Sequence, residues 1–164
     1  MKKISKAFVI FAVVWMLFVQ AQFLRAAEKK TVPKAPVPSQ ILNAKKVFIA
    51  NAGADEIVPG QATFTGGPDR CYNEFYDAIK NAGHYQIVDS PGEADLVLEV
   101  GVDAAASDPL FRLTIRDPRS NVILWGFKVR IEFGAGQANS DRNFDQAINR
   151  LVFELQALVT RASS

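Results

Sequence analysis

With 164 residues and a hydrophobic fraction of 49%, the chain has the length of one domain and enough apolar residues to build a core. Its formal charge is +2, but Lys2, Lys3, Lys6 and Arg25 all precede Glu28, so the 19 basic and 17 acidic residues of the whole become 15 and 17 beyond that point, a charge of −2. Such a domain lacks the basic excess that binding to a phosphate backbone requires, which argues against nucleic acid as a partner, and the single cysteine, Cys71, excludes an internal disulfide framework.

The first element in chain order is an export leader over residues 1–27. Lys2, Lys3 and Lys6 precede an uncharged apolar run from Ala7 to Val19, and small residues follow. The run falls short of the roughly 20 apolar residues that span a bilayer. Cleavage fits best after Ala21, with Ala26 or Ala27 as alternatives. A periplasmic or secreted location is the expectation, with membrane contact only if the leader stays uncleaved. Cys71 lies far from the leader, so lipid attachment of the lipoprotein kind has no acceptor there.

Residues 28–44 (EKKTVPKAPVPSQILNA) read as a proline-rich linker. Pro33, Pro36 and Pro38 remove amide donors and bias their neighbours to extended backbone, and at about 3 Å per residue the stretch reaches roughly 50 Å. A single domain is expected over 45–164. Lys45–Asn51 is a short apolar strand, followed by a long connection over 52–68 in which Phe64 is an anchor. Tyr72, Phe75, Tyr76 and Ile79 recur on one helical face, with Pro68 near the start and Gly83 at the stop. Tyr85–Asp89 is a short strand, and Ser90-Pro91-Gly92 a turn.

Three alternating strands follow. Leu96, Leu98, Val100 and Val102 form the apolar side of one, and Phe111, Leu113 and Ile115 that of the next. Ile123, Trp125, Phe127, Val129, Ile131 and Phe133 line one side of Val122–Phe133. Period-2 alternation of this kind means one buried and one wetter face, hence an antiparallel meander. The other side carries Glu99, Arg112, Arg116, Lys128, Arg130 and Glu132, a solvated face laced with weak ion pairs. The last helix has Asn139 or Ser140 as cap and a stripe of Phe144, Ile148, Leu151, Val152, Leu155, Leu158 and Val159. The expected fold is therefore α+β: a two-layer sandwich with a mostly antiparallel sheet of about five strands, in the order β-α-β-β-β-β-α, with two helices on one face.

The residues display little chemistry. Cys71 opens the first long helix and His84, the only histidine, follows its end; thirteen residues of helix separate them by roughly 20 Å, beyond the reach of a nucleophile–base pair. One histidine and one cysteine make no zinc site, and no calcium-loop spacing appears. No cofactor motif is present, so catalysis, metal and cofactor are all expected to be lacking. Two glycine-bearing loops enter the helices. Thr65-Gly66-Gly67-Pro68-Asp69-Arg70 has amides suited to an anion but lacks the lysine and hydroxyl of a P-loop, and Gly134-Ala135-Gly136 lacks the third glycine of a dinucleotide fingerprint. Turn-and-cap duty is the ordinary reading of both. Gly66, Gly67, Asp69, Arg70 and, in the Asp117–Asn121 turn, Arg119 are the candidate contacts for a ligand or partner. With a right-handed crossover between the first two strands and hairpins thereafter, the 52–68 loop would share an end of the sheet with the Asp117–Asn121 turn, and the Gly134–Asn139 loop would sit at the opposite end.

The segments "EADLVLEV", "FRLTIRDP", "NVILWGF" and "AINRLVFELQAL" resemble uncharacterised families of bacterial envelope proteins through Ala94-Asp95, Leu113 to Asp117, Val122 to Trp125, and Ala147 to Leu158. The arrangement is also similar to the TolB amino-terminal domain and to the curli-secretion and penicillin-binding-protein-activator lipoproteins. The resemblance implies a periplasmic, non-enzymatic module that binds another envelope protein or assembles. The alternative expectation is a small-ligand or glycan binder using the 52–68 loop and the Asp117–Asn121 turn.

Overall fold

Residues 35–54, 64–103 and 109–160 are described by the structure, a computed structural model. The expected leader and the first part of the spacer, residues 28–34, lie outside the described residues, as does the middle of the long loop. Within the compact unit Pro36–Ser164 the order is α1 (Ser39–Asn43), β1 (Lys46–Ala54), α2 (Arg70–Ala82), β2 (Gln86–Ile87), a 3-10 turn (Pro91–Glu93), β3 (Leu96–Asp103), β4 (Leu110–Arg116), β5 (Ile123–Arg130) and α3 (Gln137–Thr160). The fold is α+β. The five strands make one sheet in the order β2-β1-β3-β4-β5, with α2 against β1 and β3, and α3 against β4 and β5.

The sheet is mixed. β1 is parallel to both β2 and β3, whereas β3, β4 and β5 form the expected antiparallel meander. The step from β2 to β3 is no hairpin. The chain passes beneath the start of β1, where the Asp95 amide donates to Lys46 O at 2.9 Å and the Asp95 carboxylate accepts the amides of Lys45 and Lys46 at 2.8 and 2.9 Å. β3 thus emerges on the far side of β1 and in the same direction. This corrects the expected distribution of loops: β1, β3 and β5 all end at one edge of the sheet, so the connection to α2 and the connection to α3 lie together. The Asp117–Asn121 turn lies at the other end.

One face of the sheet packs under the helices. Val47 and Ile49, Leu96, Leu98 and Val100, and Phe111, Leu113 and Ile115 meet Phe75 and Ile79 of α2 and the stripe Phe144, Ile148, Leu151, Leu155 of α3. Cys71 is buried on the same face of α2, and Gly83 closes that helix in the left-handed region at φ 65°. α3 starts a turn earlier than its expected cap. Ser140 is a buried helical residue whose amide donates to Gly136 O at 3.1 Å, while its hydroxyl accepts from the Gly134 amide at 3.2 Å.

Three local departures have physical causes. The globular unit begins before Lys45: Ile41 in α1 has 0% exposure and Ala44 only 3%, so the end of the proline-rich segment is part of the core. In β1 the register slips between Asn51 and Gly53, where the backbone crosses so close to β3 that a Cβ on Gly101 would lie 2.7 Å from Gly53 O; only glycine fits there. In β5 an extra residue separates the pairs Ile115–Trp125 and Arg116–Ile123. This bulge keeps Trp125, Phe127 and Val129 on the core face but turns Ile123 to the open face beside Arg116, and Ile123 is 56% exposed.

Candidate functional site

The two ends of the sheet present different chemistry. At the end where β1, β3 and β5 finish, Arg70 sits on the first turn of α2 and its guanidinium faces the start of α3. Nε reaches Glu74 Oε1 at 2.5 Å, Nη1 reaches Asp141 Oδ1 at 2.6 Å and Nη2 reaches Asp145 Oδ1 at 2.6 Å. Nη1 also donates to Thr65 O at 2.9 Å, and the guanidinium carbon stands 4.3 Å from the centre of the Phe144 ring. Four of the five donors are thus engaged at short range, and the side chain is 11% exposed.

The loop is shaped to deliver that contact. Gly66, at φ 96°, leaves space that a Cβ would take from the Arg70 stem, 2.8 Å from its Cδ. The Thr65 amide donates to Asp141 Oδ1 at 2.8 Å, and Phe64 packs on Phe144 and Phe133 at ring distances of 5.1 and 6.0 Å, the anchoring role its position suggests. The Asp141 carboxyl is held down to about 2, first by the Thr65 amide and then by Arg70 and Gln137. Burial acts against the Arg70 charge, but the bonds to Glu74, Asp141 and Asp145 outweigh it and raise its pKa. Burial also raises the Glu74 carboxyl despite Arg70. The arrangement is a clamp fastening loop, α2 and α3 together, with three carboxylates on one guanidinium. Asp69, next along, accepts from Asn51 Nδ2 at 3.0 Å.

At the other end, α1, the Ala94-Asp95 crossing and the β4–β5 turn enclose a cleft of about 300 Å3 lined by Ser39, Gln40, Asn43, Asp95, Asp117 and Arg119, with Ala44, Ala94 and Pro118 as its apolar wall. The Asp95 carboxyl is lowered by the Lys45 and Lys46 amides. That of Asp117 is lowered by the Ser120 hydroxyl and the Arg119 amide, at 2.6 and 3.0 Å. Both carboxylates are therefore ionised near neutrality and fixed in direction, and Arg119 projects beside them from an exposed turn.

Of the candidate contacts, Gly66, Gly67, Asp69 and Arg70 lie at the clamp and Arg119 lies in the cleft, so they do not form one site. Arg70 is spent on internal carboxylates, and the Arg70 amide donates to Gly67 O at 3.3 Å, which leaves the loop in turn-and-cap duty. Sequence reasoning missed Asp141 and Asp145 as partners of Arg70, because the pairing follows from strand order, and missed Gln40 and Asn43, which fell within the expected linker. Asp95 and Asp117 were visible only as flanks of strands. Cys71 and His84 stand at the two ends of α2, the histidine exposed and the buried thiol pushed up to about 12. Among the described residues no group of three or more His, Cys, Asp or Glu side chains is placed to hold a metal ion, and no helix is long and apolar enough to cross a membrane.

No family model matches the chain, and no curated protein matches it. Nine chains of solved structures do. A Xanthomonas campestris protein of the DUF330 family matches at 16% identity and a TM-score of 0.47, over 81% of this chain and 94% of its own. A PelC dodecamer from Paraburkholderia phytofirmans gives 12% and 0.45, over 75% and 95%. An uncharacterised lipoprotein B from Nitrosomonas europaea gives 11% and 0.37, over 81% and 92%. Likeness at this level transfers no residue's role to this chain.

Proposed function

We propose that the protein is exported to the cell envelope and acts there as a non-catalytic module that binds another protein. The observation that carries this reading is the apolar pair Val122 and Ile123, 55% and 56% exposed, where the chain enters β5, whose outer edge has no neighbouring strand among the described residues. An open edge with adjacent apolar side chains is a template for a partner. The leader pattern of Lys2, Lys3, Lys6 and Ala7–Val19 supports export, and the resemblance to the TolB amino-terminal domain and the curli-secretion lipoproteins agrees with an envelope role. Crosslinking in intact cells, followed by purification, is expected to recover a defined second protein with the wild-type chain and to lose it with Ile123→Asp. Equal recovery with both chains would remove the reading, as would intact leader-bearing protein in the cytosol.

The cleft favours a second reading, a small polar ligand held between Arg119 and the carboxylates of Asp95 and Asp117. Its size is at the lower end of small-molecule sites. A thermal-shift screen of amino acids and amines tests it, since a ligand at 100 times its Kd adds about 2.7 kcal/mol. A shift that survives Arg119→Ala would place the binding elsewhere.

A further inference from the structure

Three carboxylates share one guanidinium at the clamp, so with all four groups ionised two negative charges are left uncompensated. The three acids are not equivalent. Asp141 is the best held, because its Oδ1 accepts the Thr65 amide as well as Arg70 Nη1, and its carboxyl is pulled down to about 2. Asp145 is 54% exposed, so water screens its charge. Glu74 is the exception. It is 33% exposed, is bonded to Arg70 through Oε1, and lies within hydrogen-bonding reach of the Asp145 carboxylate across the contact between α2 and α3. Two like charges so placed repel, and a proton on one of them turns the repulsion into a bond.

The surroundings of Glu74 leave it as the group that takes this proton. On its own helix Arg70 and Cys71 lie a turn before it and Asp77 a turn after, and burial pushes the Cys71 thiol up to about 12, where it stays neutral. From α3, Asp141 and Asp145 face it, with Arg142 exposed on that helix. In the loop, Asp69 is occupied with Asn51. β1 and β3 turn Val47, Ile49, Leu98 and Val100 to the helices. Burial raises the Glu74 carboxyl, Arg70 lowers it and Asp145 raises it again, and the balance is upward.

We propose that Glu74 and Asp145 form a proton-operated latch between α2 and α3: in mild acid Glu74 takes a proton from solvent and donates it in a hydrogen bond to the Asp145 carboxylate, while Arg70 keeps Asp141 and Asp145. One proton thus removes one of the two excess charges and adds a bond between the helices. A carboxyl raised in the fold holds its proton more tightly there than in the unfolded chain. The latch therefore contributes fully below the ordinary glutamate value of about 4.3 and is lost as pH rises through the raised one. Its sign is opposite to that of Asp95, Asp117 and Asp141, so stability passes through a maximum in mild acid. The latch goes beyond the interaction-module reading and does not depend on it.

Carbon-13 NMR of the side-chain carboxyls and thermal melts from pH 8 to 4 test it in the purified wild-type chain, Glu74→Gln and Asp145→Asn. Glu74 is expected to titrate above about 4.3 in the wild type and to move down in Asp145→Asn. Glu74→Gln carries the shape and the donor of the protonated acid, so it is expected to melt a few degrees above the wild type at pH 8 and to converge with it towards pH 4. A Glu74 carboxyl titrating at or below the ordinary value, or one unmoved by Asp145→Asn, would overturn the proposal. So would a glutamine variant that melts below the wild type by the same margin at every pH, the mark of a lost ion pair with no latch.

Discussion

The two ends of the sheet use similar residues to opposite effect. At the clamp, a guanidinium and three carboxylates are drawn into direct contact over an aromatic ring, and their charge is consumed in fastening two helices and a loop. At the cleft, two carboxylates and a guanidinium are kept apart: Asp95 is held by the Lys45 and Lys46 amides at the start of β1, Asp117 by the Arg119 amide and the Ser120 hydroxyl of its own turn, and Arg119 extends from an exposed turn. The difference teaches that the partner of a charged group, rather than its presence, decides whether it holds the fold or remains available.

Several changes break or sharpen that contrast. The largest effect is expected from Phe144→Ala, since this buried ring meets Phe64, Phe111 and Arg70 at once; its loss is expected to cost about 3–5 kcal/mol in a denaturant titration. At the cleft, Ile41→Ala removes the one fully buried side chain of α1 and is expected to cost about 2–4 kcal/mol, while loosening the cleft wall. Arg70→Met leaves three partly exposed carboxylates facing one another. After allowance for solvent screening a loss of about 1–3 kcal/mol is expected, whereas Arg119→Ala is expected to change stability by under about 0.5 kcal/mol. If the two arginines proved equally costly, the contrast between the ends would collapse.

A smaller gain is expected from Tyr85→Phe. Among the described residues the buried Tyr85 hydroxyl has no hydrogen-bond partner and burial pushes its pKa up to about 12, so removing the oxygen is expected to stabilise by about 1 kcal/mol.

The acid limb of stability follows from the depressed carboxylates. Asp95, Asp117 and Asp141 all ionise more readily in the fold than in the unfolded chain. Their contribution is therefore complete above the ordinary aspartate value of about 4 and is lost as pH falls, for Asp141 towards about 2. Thermal melts from pH 5 to 2 are expected to show a falling Tm, less steep in Asp141→Asn.

The helical stripe of α3 and the alternation of β3 and β4 were legible because each is a local period imposed by one apolar face. The stop at Gly83 was legible from the residue itself, since glycine takes the left-handed cap at little cost. What the sequence hid was the path between elements. Ser90-Pro91-Gly92 has hairpin chemistry, yet the deciding contacts are those of Asp95 with Lys45 and Lys46, some fifty residues away, and no local pattern encodes them. Because the strand order was misjudged there, Thr65–Arg70 and Gly134–Asn139 were expected at opposite ends, and the clamp between them could not be foreseen. The bulge that turns Ile123 outward was hidden by an alternation that looks unbroken from Ile123 to Phe133.

The crossing beneath β1 also sets a timetable for the chain. β1 is the first strand to leave the ribosome, but its partners in β2 and β3 begin about forty and fifty residues later, at Gln86 and Leu96. Among the described residues these are its only strand partners, and parallel ladders between such distant segments close slowly. A polypeptide so composed is expected to complete its sheet later than one built of successive hairpins, a delay that would suit the export proposed above.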